Sequence, residues 1–155
     1  MPGLEDLYRE IILDHYRNPR NRGELDAPPA HRTEGFNPLC GDEIVVFLAN
    51  DGLTVEDIRI GGQGCSISQS SASMMSAAVK GRTLDEVQSL TKAFKGMMSI
   101  HEQSLDGADD APAEADPDVK LGDLEALRGV VKFPVRIKCA TLSWNTLLQA
   151  IDEAR

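Results

Sequence analysis

The chain has no CxxC pair. Its three cysteines, Cys40, Cys65 and Cys139, are too few and odd in number for a disulfide framework. That leaves metal binding or thiol chemistry, beside the plain alternative that each is a small buried side chain. Basic residues are also scarce: 16 Lys and Arg stand against 25 Asp and Glu, a formal net charge of −9. Nucleic acid is excluded as the main partner, because phosphate binding needs clustered cations. No apolar run approaches the length of a membrane span. The opening Met1-Pro2-Gly3-Leu4-Glu5-Asp6 is acidic where a secretory leader is basic, so the expected compartment is the cytoplasm. Internal repeats are missing too. What is present, 155 residues with 41% hydrophobic content, suffices for one domain with a real core and is short for two.

The stretch Gly61-Gly62-Gln63-Gly64-Cys65-Ser66-Ile67-Ser68 organises the rest. Before it, residues 55–60 have the β-branched content and partial alternation of a strand. After it, residues 68–80 run without Pro or Gly until Gly81, the pattern of a helix and its stop. Cys65 is therefore expected at a helix N-terminus, where unpaired N–H groups and the dipole favour a thiolate. Glycines ahead of it permit close approach of another group to the backbone. Such a thiol is placed to ligate a metal or to react.

Residues 4–17 carry Leu4, Leu7, Tyr8, Ile11, Ile12 and His15 at steps of three and four, an amphipathic helix ending before Pro19. Arg17, Arg20 and Arg22 crowd its exit and read as a solvated basic turn. Residues 23–31 form a loop, and residues 31–36 a first, irregular strand. Asn37-Pro38-Leu39-Cys40-Gly41-Asp42-Glu43 is a turn, residues 44–49 a strand, Asn50-Asp51-Gly52 a hairpin signal, and residues 53–60 the returning strand. An antiparallel meander follows. Thr83 and Glu86 make a capping box for a helix with Val87, Leu90 and Phe94 inward, ending near Gly96. Residues 101–120 are dominated by Asp, Glu, Ala, Pro and Gly and read as a mobile acidic insertion. A short helix is expected at 122–129, and Pro134 opens a closing helix to about residue 154 through Cys139, Trp144, Leu147 and Ile151. His15 reads as a packed side chain; His31 and His101 as solvated; Met74, Met75, Met97, Met98 and Trp144 as core or boundary fillers.

Three thiols and the Asp42 carboxylate, drawn from four places in the chain, match the tetrahedral needs of zinc if the fold gathers them. Spacing alone leaves a shared metal site and separate core thiols both open. Lys138 beside Cys139 adds a cation that lowers a thiol's pKa.

Four segments resemble the IscU/NifU N-terminal family: residues 7–19, Asn37-Pro38-Leu39-Cys40-Gly41-Asp42, Gly62-Gln63-Gly64-Cys65-Ser66-Ile67-Ser68, and Val135-Arg136-Ile137-Lys138-Cys139-Ala140. Within that family they are most similar to the SufU type. The resemblance implies an α+β fold, a small three-stranded antiparallel sheet flanked by helices, forming one domain over residues 1–155. It also implies that Cys40, Asp42, Cys65 and Cys139 converge on one Zn2+. IscU-type scaffolds carry His before the third cysteine, where this chain has Lys138, and protonated lysine is no ligand. SufU-type proteins carry an extra segment ahead of that cysteine, for which residues 101–120 are the candidate. The implied activity is that of a zinc-dependent sulfurtransferase. It would accept persulfide sulfur on Cys40 from a PLP-dependent cysteine desulfurase of the SufS type and pass it to iron–sulfur assembly. Two alternatives stand beside it: a scaffold that builds an iron–sulfur cluster on the same ligands, and a zinc-stapled binding module without sulfur transfer.

Overall fold

Alternation of apolar residues in the second strand sets the architecture. Ile44, Val46 and Leu48 point to one face and are buried, while Glu43 and Val45 on the other face are not; Phe47, also on that other face, is buried as well. A computed structural model of the chain describes residues 2–26, 30–38, 41–106, 122–132 and 134–153. Its elements in order are α1 (Pro2–Arg17), β1 (His31–Asn37), β2 (Asp42–Asn50), β3 (Val55–Gln63), α2 (Ser66–Val79), α3 (Leu84–Asp106), a 3₁₀ segment (Gly122–Lys132) and α4 (Pro134–Glu153). The strands form one antiparallel sheet in the order β1-β2-β3. Val46 stands opposite Ile60 and Leu48 opposite Ile58, so the buried residues of β2 and β3 share the face that α4 and α2 cover. The expected α+β fold, a three-stranded antiparallel sheet flanked by helices, is the observed one. Among the described residues no helix is long and apolar enough to cross a membrane.

Close approach is the main local theme. A Cβ at Gly35 would lie 2.0 Å from Thr146 Oγ1, so a glycine on β1 lets α4 settle directly on the sheet. Serine does the same for α2, whose Ser70, Ser71, Ser73 and Ser76 are all fully buried. Each is small enough for helices to touch, and each hydroxyl finds a partner, as burial requires. Ser70 Oγ donates to Ile12 O of α1 at 2.8 Å, Ser71 Oγ to Ala140 O of α4, and Ser76 Oγ to Arg20 O at 3.1 Å. Ser73 Oγ accepts the Arg20 N–H at 2.8 Å and lies 2.8 Å from His15 Nδ1. His15 Nε2 is 2.9 Å from Asp123 Oδ2 at the start of the 3₁₀ segment. A neutral imidazole satisfies all three groups if Ser73 donates to Nδ1 and Nε2–H donates to Asp123. His15 thus ties α1, α2 and the 3₁₀ segment together, in keeping with a packed histidine.

Several expectations are refined. Leu7 is 55% exposed and does not belong to the inward face of α1. The glycines at 61 and 62 are part of β3, paired with Val45 and Ile44, so the strand runs beyond the expected residue 60 to Gln63. Gly96 does not end α3, which continues to Asp106. An interior glycine costs a helix only about 1 kcal/mol, and burial of Met97 and Met98 just beyond it offsets that. Residues 101–106 of the expected acidic insertion are therefore helical, and 107–121 lie outside the described residues. The capping box is formed as expected: Glu86 N–H reaches Thr83 Oγ1 and Thr83 N–H reaches Glu86 Oε1, both at 3.1 Å. Trp144 and Phe94, both fully buried, stack at 5.0 Å between α4 and α3. Such a pair contributes about 0.5–1.5 kcal/mol beyond its buried area.

His31, expected to be solvated, pairs with Glu153 Oε1 at 2.7 Å and ties the end of α4 to β1. Hydrogen bonds from His31, then Gln149 and Thr33, lower the Glu153 carboxyl from its usual 4.5 to about 2. A carboxyl depressed on folding stabilises above its unfolded value and loses that contribution as pH falls toward the folded value. Glu153→Gln should therefore lower the melting temperature at pH 7, with the gap to the parent chain closing between pH 4.5 and about 2. Thermal melts across that range check this, and a gap that persists at the acid end would remove the ion pair as its cause.

Candidate metal centre

The site lies where β2 begins, β3 ends, α2 starts and α4 makes its second turn. Antiparallel pairing puts the first residues of β2 beside the last of β3, with Glu43 opposite Gln63. The chain then needs only Gly64 and Cys65 to enter α2, for which Cys65 is the N-cap residue with extended backbone. Cys65 thus sits where the sequence places it. Its side chain makes no capping hydrogen bond, so its sulfur is not engaged with its own helix. α4 brings the third group, because Ser71 holds the carbonyl of Ala140 and Cys139 immediately precedes it.

Asp42, Cys65 and Cys139 converge, with one ligand atom from each all within 4.8 Å of one another. Asp42 and Cys139 are fully buried, while Cys65 is half-buried and marks the accessible side. Asp42 is held at both oxygens. Oδ1 accepts the Cys65 N–H at 2.9 Å, and Oδ2 lies 3.9 Å from Cys65 Sγ. Asn37, opposite Asp42 at the end of the β1–β2 ladder, places Nδ2 3.4 Å from Asp42 Oδ2 and 3.7 Å from Cys139 Sγ. Cys40, the fourth expected ligand, lies outside the described residues, two positions before Asp42. Lys138 is exposed beside the buried Cys139, as successive helix positions must diverge.

The donor set fits zinc. Bond lengths near 2.3 Å to sulfur and 2.0 Å to oxygen place tetrahedral neighbours about 3.5 Å apart for S and O, and about 3.8 Å for two sulfurs. The observed 3.9 Å from Cys65 Sγ to Asp42 Oδ2 is close to that edge, and the 4.8 Å spread closes with small side-chain rotations. Sulfur with one carboxylate is a zinc-type donor mixture; calcium and magnesium take oxygen alone.

Two contributors escaped the sequence reading. Asn37 carried a signal, standing at a strand end just before the Pro38–Asp42 turn, but an asparagine before proline reads first as turn chemistry. Arg22 is exposed as expected, yet it donates to Gly62 O at 2.7 Å and to Gln69 Oε1 at 3.0 Å, bracing the β3–α2 passage that carries Cys65. No linear pattern announces such a long-range brace.

The glycines ahead of Cys65 do permit close approach, and the approaching group is Asp42. A Cβ at Gly64 would lie 2.5 Å from Asp42 Oδ1, and one at Gly62, where φ is +106°, would lie 2.2 Å from Glu43 O. Gly64→Ala should therefore displace the carboxylate and cost about 1–3 kcal/mol in the overpacked site. Denaturant unfolding of the metal-free chain measures it, and an unchanged midpoint would show that the carboxylate has room to move.

The NifU-like N terminal domain family matches residues 7–140. The chain is 45% identical over 148 residues to the zinc-dependent sulfurtransferase SufU of Bacillus subtilis, covering 96% of this chain and 91% of that one. It is 40% identical over 151 residues to the iron–sulfur cluster assembly scaffold protein IscU of Streptococcus pyogenes, covering 97% and 86%. Among solved structures, a putative iron–sulfur cluster assembly scaffold protein for the SUF system from Fervidobacterium islandicum superposes with a TM-score of 0.76 at 31% identity, covering 92% and 94%. With both fold and sequence matching along most of its length, the chain belongs to the NifU-like N-terminal domain family.

Proposed function

We propose that this chain serves iron–sulfur cluster assembly as a zinc-dependent sulfur acceptor, working in the cytoplasm with a PLP-dependent cysteine desulfurase of the SufS type. The observation that supports it most is the convergence of Asp42, Cys65 and Cys139 with Lys138 turned outward, since this donor set has sulfur and carboxylate but no imidazole beside Cys139. The relative named as a zinc-dependent sulfurtransferase, aligned over 96% of the chain, agrees with it. Cys40 completes the set as fourth ligand in this reading. Zinc held there supplies positive charge that keeps thiolates deprotonated while carrying no redox electrons.

The chain's own part is to present one thiolate. The Cys40 thiolate attacks the outer sulfur of the desulfurase persulfide, a new S–S bond forms on Cys40, and the desulfurase cysteine leaves as thiolate with no net oxidation. Cys65, at a helix start, and Cys139, inside α4, are restrained by their elements, whereas Cys40 belongs to a glycine-containing stretch that the sequence reads as a turn, and in this reading it is the thiol that meets the partner. The whole of residues 1–155 forms one domain in this reading, and residues 101–120 are a feature of its SufU-like branch.

A scaffold reading is favoured by the relatives that carry the IscU name and by the SUF-system structure named as a scaffold protein. One preparation separates the possibilities: the full chain purified without added metal, assayed for metal and sulfide, then added to a cysteine desulfurase. Stoichiometric zinc in a colourless protein that raises desulfurase turnover is the expected result. Brown protein with labile sulfide would favour the scaffold, and zinc without stimulation would leave only a metal staple.

A further inference from the structure

We propose that Asn37 is a positioning residue of the metal centre, acting through Asp42 and Cys139 by donating one hydrogen of its carboxamide to each. The inference rests on the metal-centre reading above and adds a residue to it. Asn37 is buried at the end of β1, 6% exposed, and it is tied to the site by both backbone and side chain. Its carbonyl accepts the Gly41 N–H at 2.9 Å, closing the turn that carries Cys40 in the sequence. Its Nδ2 lies 3.4 Å from Asp42 Oδ2 and 3.7 Å from Cys139 Sγ, distances at which the two amide hydrogens can be divided between oxygen and sulfur. Asp42 Oδ1 is meanwhile fixed by the Cys65 N–H at 2.9 Å. The carboxylate is thus gripped at both ends by neutral donors, which sets its plane relative to the two sulfurs.

Partners of this kind orient ligands and withdraw charge from them, and their loss commonly costs 10–100-fold in metal affinity. An N–H directed at a thiolate lowers the energy of the sulfur lone pairs. Asn37 therefore tempers three anionic ligands crowded within 4.8 Å without adding a competing cation. A carboxylate at the same place, identical in shape, would withdraw nothing and would add a further negative charge.

That reversal supplies the test. The full chain and its Asn37→Ala, Asn37→Asp and Asn37→Ser variants are titrated with zinc against a chromophoric chelator, and their cobalt forms are examined for sulfur-to-metal charge transfer. Zinc affinity should fall about tenfold in Asn37→Ala and further, toward 100-fold, in Asn37→Asp, with Asn37→Ser between the parent and Asn37→Ala. The charge-transfer band should move to longer wavelength in Asn37→Ala and Asn37→Asp as the sulfur loses its donor. A merely structural Asn37 predicts the opposite order, since aspartate preserves shape better than alanine, and an unmoved band. Either of those results, or loss of fold in all three metal-free variants, overturns the assignment. If the parent chain itself takes up neither zinc nor cobalt, the metal-centre reading fails and Asn37 falls with it. Parent-like affinity and spectrum in the variants would sink Asn37 alone.

Discussion

Cys40→Ser is expected to abolish both persulfide labelling of this protein and its stimulation of a cysteine desulfurase, returning turnover to the desulfurase's own basal rate. The three proposed thiolate ligands differ in what restrains them. Cys139 is fully buried within α4, pinned by Ser71 to the adjacent carbonyl, and Cys65 caps α2 between Gly64 and the packed serine face. Side-chain rotation shifts either sulfur only within the site, and carrying one out to a partner means moving a helix. In the sequence Cys40 falls between Asn37 and Asp42, the pair that ends the β1–β2 ladder, in a glycine-containing stretch expected to be a turn. A turn residue can leave a metal at a far lower conformational cost than a helical one. Serine at 40 removes the nucleophile and leaves the sheet and helices untouched, so the variant should retain more of the fold than Cys65→Ser or Cys139→Ser. Mass spectrometry after incubation with desulfurase, PLP and cysteine locates the added sulfur. If it maps to Cys65 or Cys139 while Cys40→Ser still stimulates turnover, the role assigned to Cys40 is wrong even where zinc is bound.

Local signals account for what the sequence made visible. The Thr83–Glu86 box, the Asn50-Asp51-Gly52 hairpin and the small-residue run behind Cys65 each act within a few residues, where turn and cap chemistry dominates. The meander followed because short antiparallel connections leave few alternatives. What stayed hidden depends on distant parts of the chain. The burial of α2 serines is legible only once α1 and α4 are seen on either side of it, since a serine-rich helix otherwise reads as a polar surface. Arg22 was hidden for the same reason: its partners Gly62 and Gln69 are 40 and 47 positions away. The extent of α3 was misjudged because glycine weighs heavily in a linear reading, whereas the burial of Met97 and Met98 decides the matter in the fold. The site itself was half legible. Residue types suggested zinc, but only the β2–β3 pairing and the α2–α4 packing bring Asp42, Cys65 and Cys139 to within 4.8 Å.

Asp42→Ala should remove most of the zinc-dependent stability. Among the described residues Asp42 is the sole carboxylate in the converging set, and it is fully buried. Zinc at 1,000 times its dissociation constant adds about 4.1 kcal/mol to folding, and a 100-fold weaker site at the same concentration adds only about 1.4 kcal/mol. For a chain of this size each kcal/mol moves the melting temperature by about 2–4 °C, so about 5–11 °C of the zinc-induced rise should vanish. Without metal the balance is different. Alanine leaves the Cys65 N–H without its acceptor at 2.9 Å, a loss of about 1–3 kcal/mol. Asp42→Asn separates these effects, because its carbonyl oxygen still accepts from Cys65 whereas a neutral amide is a poor zinc ligand. The metal-free melting temperature of Asp42→Asn should therefore equal or exceed that of Asp42→Ala, and both should lose most of the zinc-induced rise. Melts with and without zinc, in the presence of a chelator control, decide it. A zinc-induced rise of parental size in both variants would take Asp42 out of the site and leave the Cys65–Cys139 pair to be explained without it.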